Sequence, residues 1–489
     1  MPTTQPLVQE QTSRDPSSPG PKDPSLPPRQ SNQQHVALLP APIRSSFAFS
    51  SPCFTKPTLL RFTLLAVACI LTTGCRTTAN LLRTLGRLAP GDPPAYRRVS
   101  CRSRRSPWAV GRHLATWVFD HFVPEGVILL AADDTVSEHP GDEVHGKSCH
   151  RDAVRSSHSS TAYRWGHEWL VLDVLVRLPL TSRFWALPSP VVLCRGKRDD
   201  TDAKGRHRTP AGVLELMPFV LRRWFPQRAF VVAADSGFAS HDLAGFCGGQ
   251  RGRLDFVSRF YPDAASYLPP PGVRPTAEGK KPKGRPPVEG AKIDTPQQAV
   301  AKAGKRKRLV VAWYGGGRRK VEVVTGTGHW YRAAQGLVEL RWAYVKDLRG
   351  THRGEYSFGT RTSMSAQEII EAYGRRWDLE TTFREMRSCL ELESTRGRSP
   401  KTAQRAEPCL FGMYTVVARL FSLAPQEYER GGGVNWEGKE HLTFSDAMTA
   451  VRKWLWREWV FPATGHEQAF EKLPADFREM ILDGLAPAA

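Results

Sequence analysis

The chain has 489 residues, long enough for more than one buried core, and sets 69 Lys+Arg against 48 Asp+Glu for a formal charge of +21. That excess points to a polyanionic partner, most simply nucleic acid. The nine cysteines are scattered, odd in number and never spaced as CxxC, which argues against a disulfide framework and fits reduced intracellular thiols.

Residues 1–50 are rich in Pro, Ser and Gln with little apolar periodicity, so a disordered tail is expected there. The run LLRFTLLAVACILTTGC then looks like a signal or lipoprotein segment. Arg61 interrupts it, it is too short to span a bilayer, and Thr72 stands where a lipoprotein signal wants an aliphatic residue. A buried helix is the better reading, with no membrane partner and a cytoplasmic location. Through 51–125 the pattern stays helical, and TTANLLRTLGRL and WAVGRHLATWVFDHF are amphipathic with basic polar sides. A helical DNA-binding region is expected over this span.

At 126–260 the pattern changes to buried strands. GVILLAADDT ends in two carboxylates, HEWLVLDVLVRLPL and PSPVVLCRG follow, GVLELMPFVLRRWF reads as a helix, and RAFVVAADSGFA is a further strand ending on Asp235. The order predicts an α/β core, a mixed sheet flanked by helices. Within it, HGKSCHRDAVRSSH gathers His145, Cys149, His150 and His158, but the spacing matches no standard zinc finger and a metal-free reading is favoured.

Residues 261–348 combine a basic linker (LPPPGVRP, KKPKGRPP, AGKRKR) with the β-like runs RLVVAWYGG, KVEVVTGTG and LVELRWAYVKDL, a β-rich insertion. The Gly-Arg-Pro of the linker resembles minor-groove hooks, although a solvated linker is the simpler reading. The core is expected to resume at 349–415, where Ser365 to Glu368 form a capping box that opens a long helix, and residues 416–489 read as a helical C-terminal region.

That helix holds Tyr373, Arg376, Glu380 and Arg387 at spacings of three, four and seven. On an ideal helix the four fall within roughly 60° of one another. A surface ion-pair ladder would look the same and would be worth little. The context decides between the readings. Asp133, Asp235 and Glu380 are three oxygen donors from three segments, and carboxylates at the ends of buried strands are costly unless paired or bound to a cation. Such a set suits Mg²⁺ or Mn²⁺.

Here the sequence resembles the bacterial insertion-sequence transposases of the DDE class, built on a ribonuclease-H-like core. The subgroup signature runs Tyr, two residues, Arg, three, Glu, six, Lys, and this chain matches it with Tyr373, Arg376 and Glu380, then Arg387 in place of Lys. LAADDT and VVAADSGFA resemble the family's two Asp segments. The resemblance covers about 55–460. It implies that Asp133, Asp235 and Glu380 are catalytic and hold two Mg²⁺ (or Mn²⁺) ions, while Tyr373, Arg376 and Arg387 bind DNA by gripping phosphates. It also implies cut-and-paste transposition, transposon-end and target DNA as partners, a homodimer in the DNA complex, and a bacterial, nucleoid-associated location. Alternatives are a non-catalytic DNA-binding relic and a nuclease that does not join strands. The family's first segment runs Asp, any residue, Thr, and that resemblance selects Asp133 over Asp134; in an extended strand the two point to opposite faces, so only one should reach the metal. In relatives that form a DNA hairpin, an aromatic residue of the insertion stacks on a flipped base; Trp313, Trp330 and Trp342 are candidates, although a strand Trp is more often core.

Overall fold

The computed structural model describes residues 39–488 except 104, 153–154, 158, 179–180, 182, 198–206, 251, 272–286, 396, 432–438 and 440. Most of KKPKGRPP, His158 and residues 1–38 of the expected tail therefore lie outside the described residues. The tail expectation needs one correction. Residues Ala41–Ala48 form a helix, α1, because Ile43 and Phe47 are one turn apart and both bury their side chains in the core.

Four more helices complete the N-terminal region: α2 (Lys56–Leu71), α3 (Thr78–Leu85), α4 (Pro93–Cys101) and α5 (Pro107–Phe122). The lipoprotein-like run is α2, with Leu60, Leu64, Val67 and Leu71 buried against the rest of the core. Among the described residues no helix is long and apolar enough to cross a membrane.

The core begins with β1 (Ile128–Glu138), β2 (Ser148–Arg151), β3 (Tyr163–Val176) and β4 (Trp185–Cys194). Helix α6 (Pro210–Trp224) leads to β5 (Phe230–Ala234), and helix α7 (His241–Gly248) crosses over to β6 (Leu254–Arg259). Strand β3 pairs antiparallel with β1 and with β4, whereas β5 runs parallel to β1 and β6 parallel to β5. The order β4-β3-β1-β5-β6 is that of a ribonuclease-H-like sheet. Parallel strands need both faces covered, which is why VVAA of β5 is apolar throughout instead of alternating.

The β-rich segment continues this sheet. Its strands are β7 (Ser266–Tyr267), β8 (Lys292–Ile293), β9 (Lys307–Ala312), β10 (Arg318–Arg332), β11 (Gly336–Asp347) and β12 (Glu355–Gly359), with a short helix, α8 (Pro296–Lys302), before β9. Strand β12 joins β6 antiparallel, so one twelve-stranded sheet runs through the molecule. Trp330 and Trp342 are buried in this sheet's packing. Trp330 sits among His241, Phe260 and Phe358, and Trp342 fills the space left by Gly326, where an added Cβ would meet its ring at 2.7 Å. Trp313 is half-buried beside Tyr314 and His352.

Beyond the sheet come α9 (Ala366–Arg375), α10 (Trp377–Leu390) and α11 (Pro400–Leu423), with further helices to residue 485. The expected capping box at Ser365 and Glu368 is present. The expected single helix is divided at Arg376. There the chain tightens to three-residue hydrogen bonds, Arg376 N–H to the Tyr373 carbonyl at 3.2 Å and Leu379 N–H to the Arg376 carbonyl at 3.0 Å. Helix α9 packs Ile369, Ile370 and Tyr373 onto a second apolar cluster with Val231, Val257, Val311 and Val345, while α7 belongs to the main core that covers the other side.

Candidate active site

Strand β1 does not end on its carboxylates, as expected from the sequence, but continues to Glu138 because β3 pairs with it throughout, from Leu130↔Val174 to Glu138↔Gly166. Its other neighbour, β5, stops earlier. The last parallel pair is Ala132↔Ala234, so Asp133 and Asp235 are the first residues beyond the paired ends of adjacent parallel strands. Crevices at the carboxyl ends of such strands are where open α/β sheets bind ligands.

The third segment meets them there. Arg376 donates from Nη1 to Asp133 Oδ2 at 2.6 Å and from Nη2 to Glu380 Oε1 at 3.2 Å, and its Nη2 lies 3.7 Å from Asp235 Oδ1. The three expected carboxylates therefore converge on a single guanidinium. The Tyr373 hydroxyl donates to Asp235 Oδ1 at 3.2 Å, and Ser236 Oγ donates to the other oxygen of the same carboxylate. Arg376 is almost closed off from solvent, whereas the Asp235 and Glu380 side chains are 41% and 39% exposed. The site is open on the side of these two carboxylates.

Electrostatics follow from this crowding. Burial, then the like charges of Asp134 and Asp235, pushes the Asp133 carboxyl up to about 7, against the pull of Arg376. Burial works against the charge on Arg376, yet Asp133 and Asp235 hold its pKa above the ordinary value. A cluster this rich in negative charge has need of a cation, and its donors are all carboxylate oxygen, which fits a hard dication.

Asp134 points to the opposite face, as the alternation requires. It lies toward Glu168, whose carboxyl burial and the Asp134 charge push up to about 7. Arg387 reaches β1 further along, donating from Nη2 to Thr135 Oγ1 and, at 3.3 Å, to the Val136 carbonyl, with Glu393 3.6 Å from its Nε. So all four residues of the stripe face β1 or β5, despite the break between α9 and α10. In this state Tyr373 and Arg376 contact carboxylates and Arg387 braces a strand.

One acidic residue escaped the sequence reading. Asp173, in HEWLVLDVLV, is fully buried on β3 opposite Ala131, on the face that carries Asp133. Neither of its oxygens has a hydrogen-bond partner among the described residues, and burial, reinforced by Asp133, lifts its pKa well above the ordinary carboxylate range. An Asp inside an apolar strand run was the available signal.

Residues 51–320 match the family described as DDE superfamily endonuclease, a span that contains Asp133 and Asp235 and stops before Glu380. No functionally characterised protein matches the sequence. Among solved structures, a cryo-EM structure of a piggyBac transposase synaptic complex with hairpin DNA is similar at 11% identity, over 93% of this chain and 81% of that one, with a TM-score of 0.36. A likeness that remote leaves the site to be read from its own geometry.

Proposed function

This chain belongs to the DDE superfamily endonucleases, and from that premise we propose that it is a DNA transposase which cleaves the ends of an insertion sequence and joins them to target DNA. The observation that carries the reading is the meeting of Asp133, Asp235 and Glu380, from a strand, the end of its parallel neighbour and a helix, around one positive charge. An ion-pair ladder on a helix surface would leave Arg376 with Glu380 alone, whereas Arg376 also meets Asp133 and Asp235.

The family implies a divalent metal, and Asp133, Asp235 and Glu380 are the residues that would hold two Mg²⁺ or Mn²⁺ ions. Bound there, the ions supply Lewis acidity and an activated water for in-line attack on a phosphodiester. The protein's own groups do the rest. The Tyr373 hydroxyl and Ser236 fix the orientation of the Asp235 carboxylate. The Arg376 guanidinium, beside these carboxylates and the Tyr373 ring, would grip a phosphate oxygen of DNA docked at the site. Arg387 holds the Thr135–Val136 backbone of the strand that carries Asp133, and its partly exposed fork extends the phosphate-facing surface. A freed 3′-hydroxyl, positioned by these contacts, attacks the opposite strand or the target. The N-terminal helices present exposed Arg83, Arg87, Arg97, Arg98, Arg102 and Arg112 and contribute affinity for the DNA backbone.

The test starts from the DNA flanking the gene, which should carry matching inverted repeats. Duplexes bearing those repeats should be nicked at the ends by the purified chain in Mg²⁺, and not by its Asp235→Ala variant. Binding of the repeats without any Mg²⁺-dependent cutting would reduce the protein to a DNA-binding relic. Cutting without strand joining would make it a nuclease.

A further inference from the structure

A second polar cluster lies further along β1, away from the carboxylates. His139 follows the last residue of the strand, His167 sits in β3 opposite Ser137, and Glu407 projects from α11. All three side chains are within 2% of complete burial. Their donor atoms lie within 4.8 Å of one another.

The hydrogen-bond pattern is unusual for a purely protonic arrangement. His167 Nε2 lies 2.9 Å from the carbonyl oxygen of His145, which only accepts, so Nε2 carries the proton. In the neutral ring Nδ1 is then a lone pair, and it faces Glu407 Oε2 at 2.9 Å. His139 Nε2 approaches the same oxygen at 3.3 Å. Meanwhile Glu407 Oε1, equally buried, has no partner among the described residues. One carboxylate oxygen takes both imidazoles while its equally buried twin is left without a partner, which costs free energy in a purely hydrogen-bonded cluster. Such an arrangement is expected when three ligands aim at one ion. Zinc bonds of about 2.0–2.1 Å in a tetrahedron set ligand atoms roughly 3.3 Å apart, which the two histidine–carboxylate separations approach, and all three donor atoms lie within 4.8 Å of one another. The His167 N–H bond to a backbone carbonyl is the outer-shell contact that fixes the tautomer of a metal-bound histidine.

We propose that His139, His167 and Glu407 bind one zinc ion that ties α11 to β1 and β3. Two imidazoles and one carboxylate suit zinc better than Mg²⁺, with the fourth position left to a water, and the near-complete burial of all three side chains makes the role structural. Among the described residues of the cysteine- and histidine-rich stretch 145–158, the histidine and cysteine side chains do not form this site. His145 Nε2 meets Arg195, His150 meets Glu168, and Cys149 is exposed; only the His145 carbonyl takes part.

The experiment uses the full chain, purified, stripped with chelator and reconstituted with Zn²⁺ or with Co²⁺ as a spectroscopic probe. The expected results are one tightly held zinc per chain, a rise in melting temperature of roughly 5 °C or more on zinc binding, and a visible cobalt spectrum of tetrahedral intensity. His167→Asn should abolish that spectrum, and Asp235→Ala should leave it intact. Should the histidine variant not fold, the parent's own cobalt spectrum and zinc-dependent melting still decide the matter. A folded parent with neither signal overturns the proposal, as does a spectrum that survives in a folded His167→Asn chain or disappears in Asp235→Ala.

Discussion

Strand β1 serves two clusters of opposite character. At Asp133 the proposed ligands are all carboxylates, two of them about two-fifths exposed, and a protein cation, Arg376, lies between them. At His139, six residues on, nitrogen donors join a carboxylate and nothing is exposed. Metal sites that do chemistry keep a position open, and those that hold a fold together are closed. The difference teaches that one strand can carry a reactive end and a fixed end, because alternation and neighbouring elements, not the strand itself, set each environment.

The sharpest way to break this comparison is to exchange the expected phenotypes. Glu380→Gln should lower end cleavage by roughly 10³-fold or more, since an amide is a poor ligand for a hard dication. Its thermal unfolding should stay near that of the parent, because the side chain is partly exposed. A variant that cuts normally would remove Glu380 from the site.

Glu407→Gln should do the reverse. Removing one partner from a buried charged cluster costs about 3 kcal/mol or more, to be read from denaturant unfolding of the full chain. A melting profile unchanged from the parent would show that the closed cluster does not hold α11 to the sheet.

Arg387→Lys tests the region between the two. One nitrogen, Nη2, donates to both Thr135 Oγ1 and the Val136 carbonyl while Nε faces Glu393, and a single ammonium does not meet all three partners in the same geometry. Cleavage should fall by about 10-fold, with Arg387→Gln weaker again in binding end DNA. Full activity in the lysine variant would mean that charge alone is needed there.

The smallest effect concerns Asp173. Its folded pKa is raised, so the folded chain keeps a proton that the unfolded chain releases above its ordinary carboxylate value. Stability from this group is fully present below about pH 4 and declines as pH rises toward the raised folded pKa. Asp173→Asn should therefore be neutral at pH 4 and stabilising by about 1 kcal/mol at pH 8. A gain of the same size at both pH values would show that the carboxyl does not hold its proton.

The stripe from Tyr373 to Arg387 was legible because helical spacing is local, and so were the carboxylates that close the apolar runs at Asp133 and Asp235, because buried strands announce themselves as such runs. The continuation of β1 to Glu138 was not, since it depends on pairing with β3. The family's Asp-x-Thr pattern favoured Asp133 over Asp134, alternation required only that one of them reach the site, and the structure turns Asp133 to Arg376. The tail was drawn too long because Ile43 and Phe47 amount to a single turn of apolar spacing, too short a pattern to see against a Pro- and Ser-rich background. What the sequence determined by itself was each element and the chemistry it carries. Tertiary structure alone decided that Arg376 stands among three carboxylates, that the β-rich segment extends the core sheet through the β6–β12 pairing, and that Glu407 meets histidines 240 and 268 residues away. Local periodicity is written in neighbouring residues, whereas sheet pairing and helix docking join distant ones, and no spacing in the chain encodes that meeting.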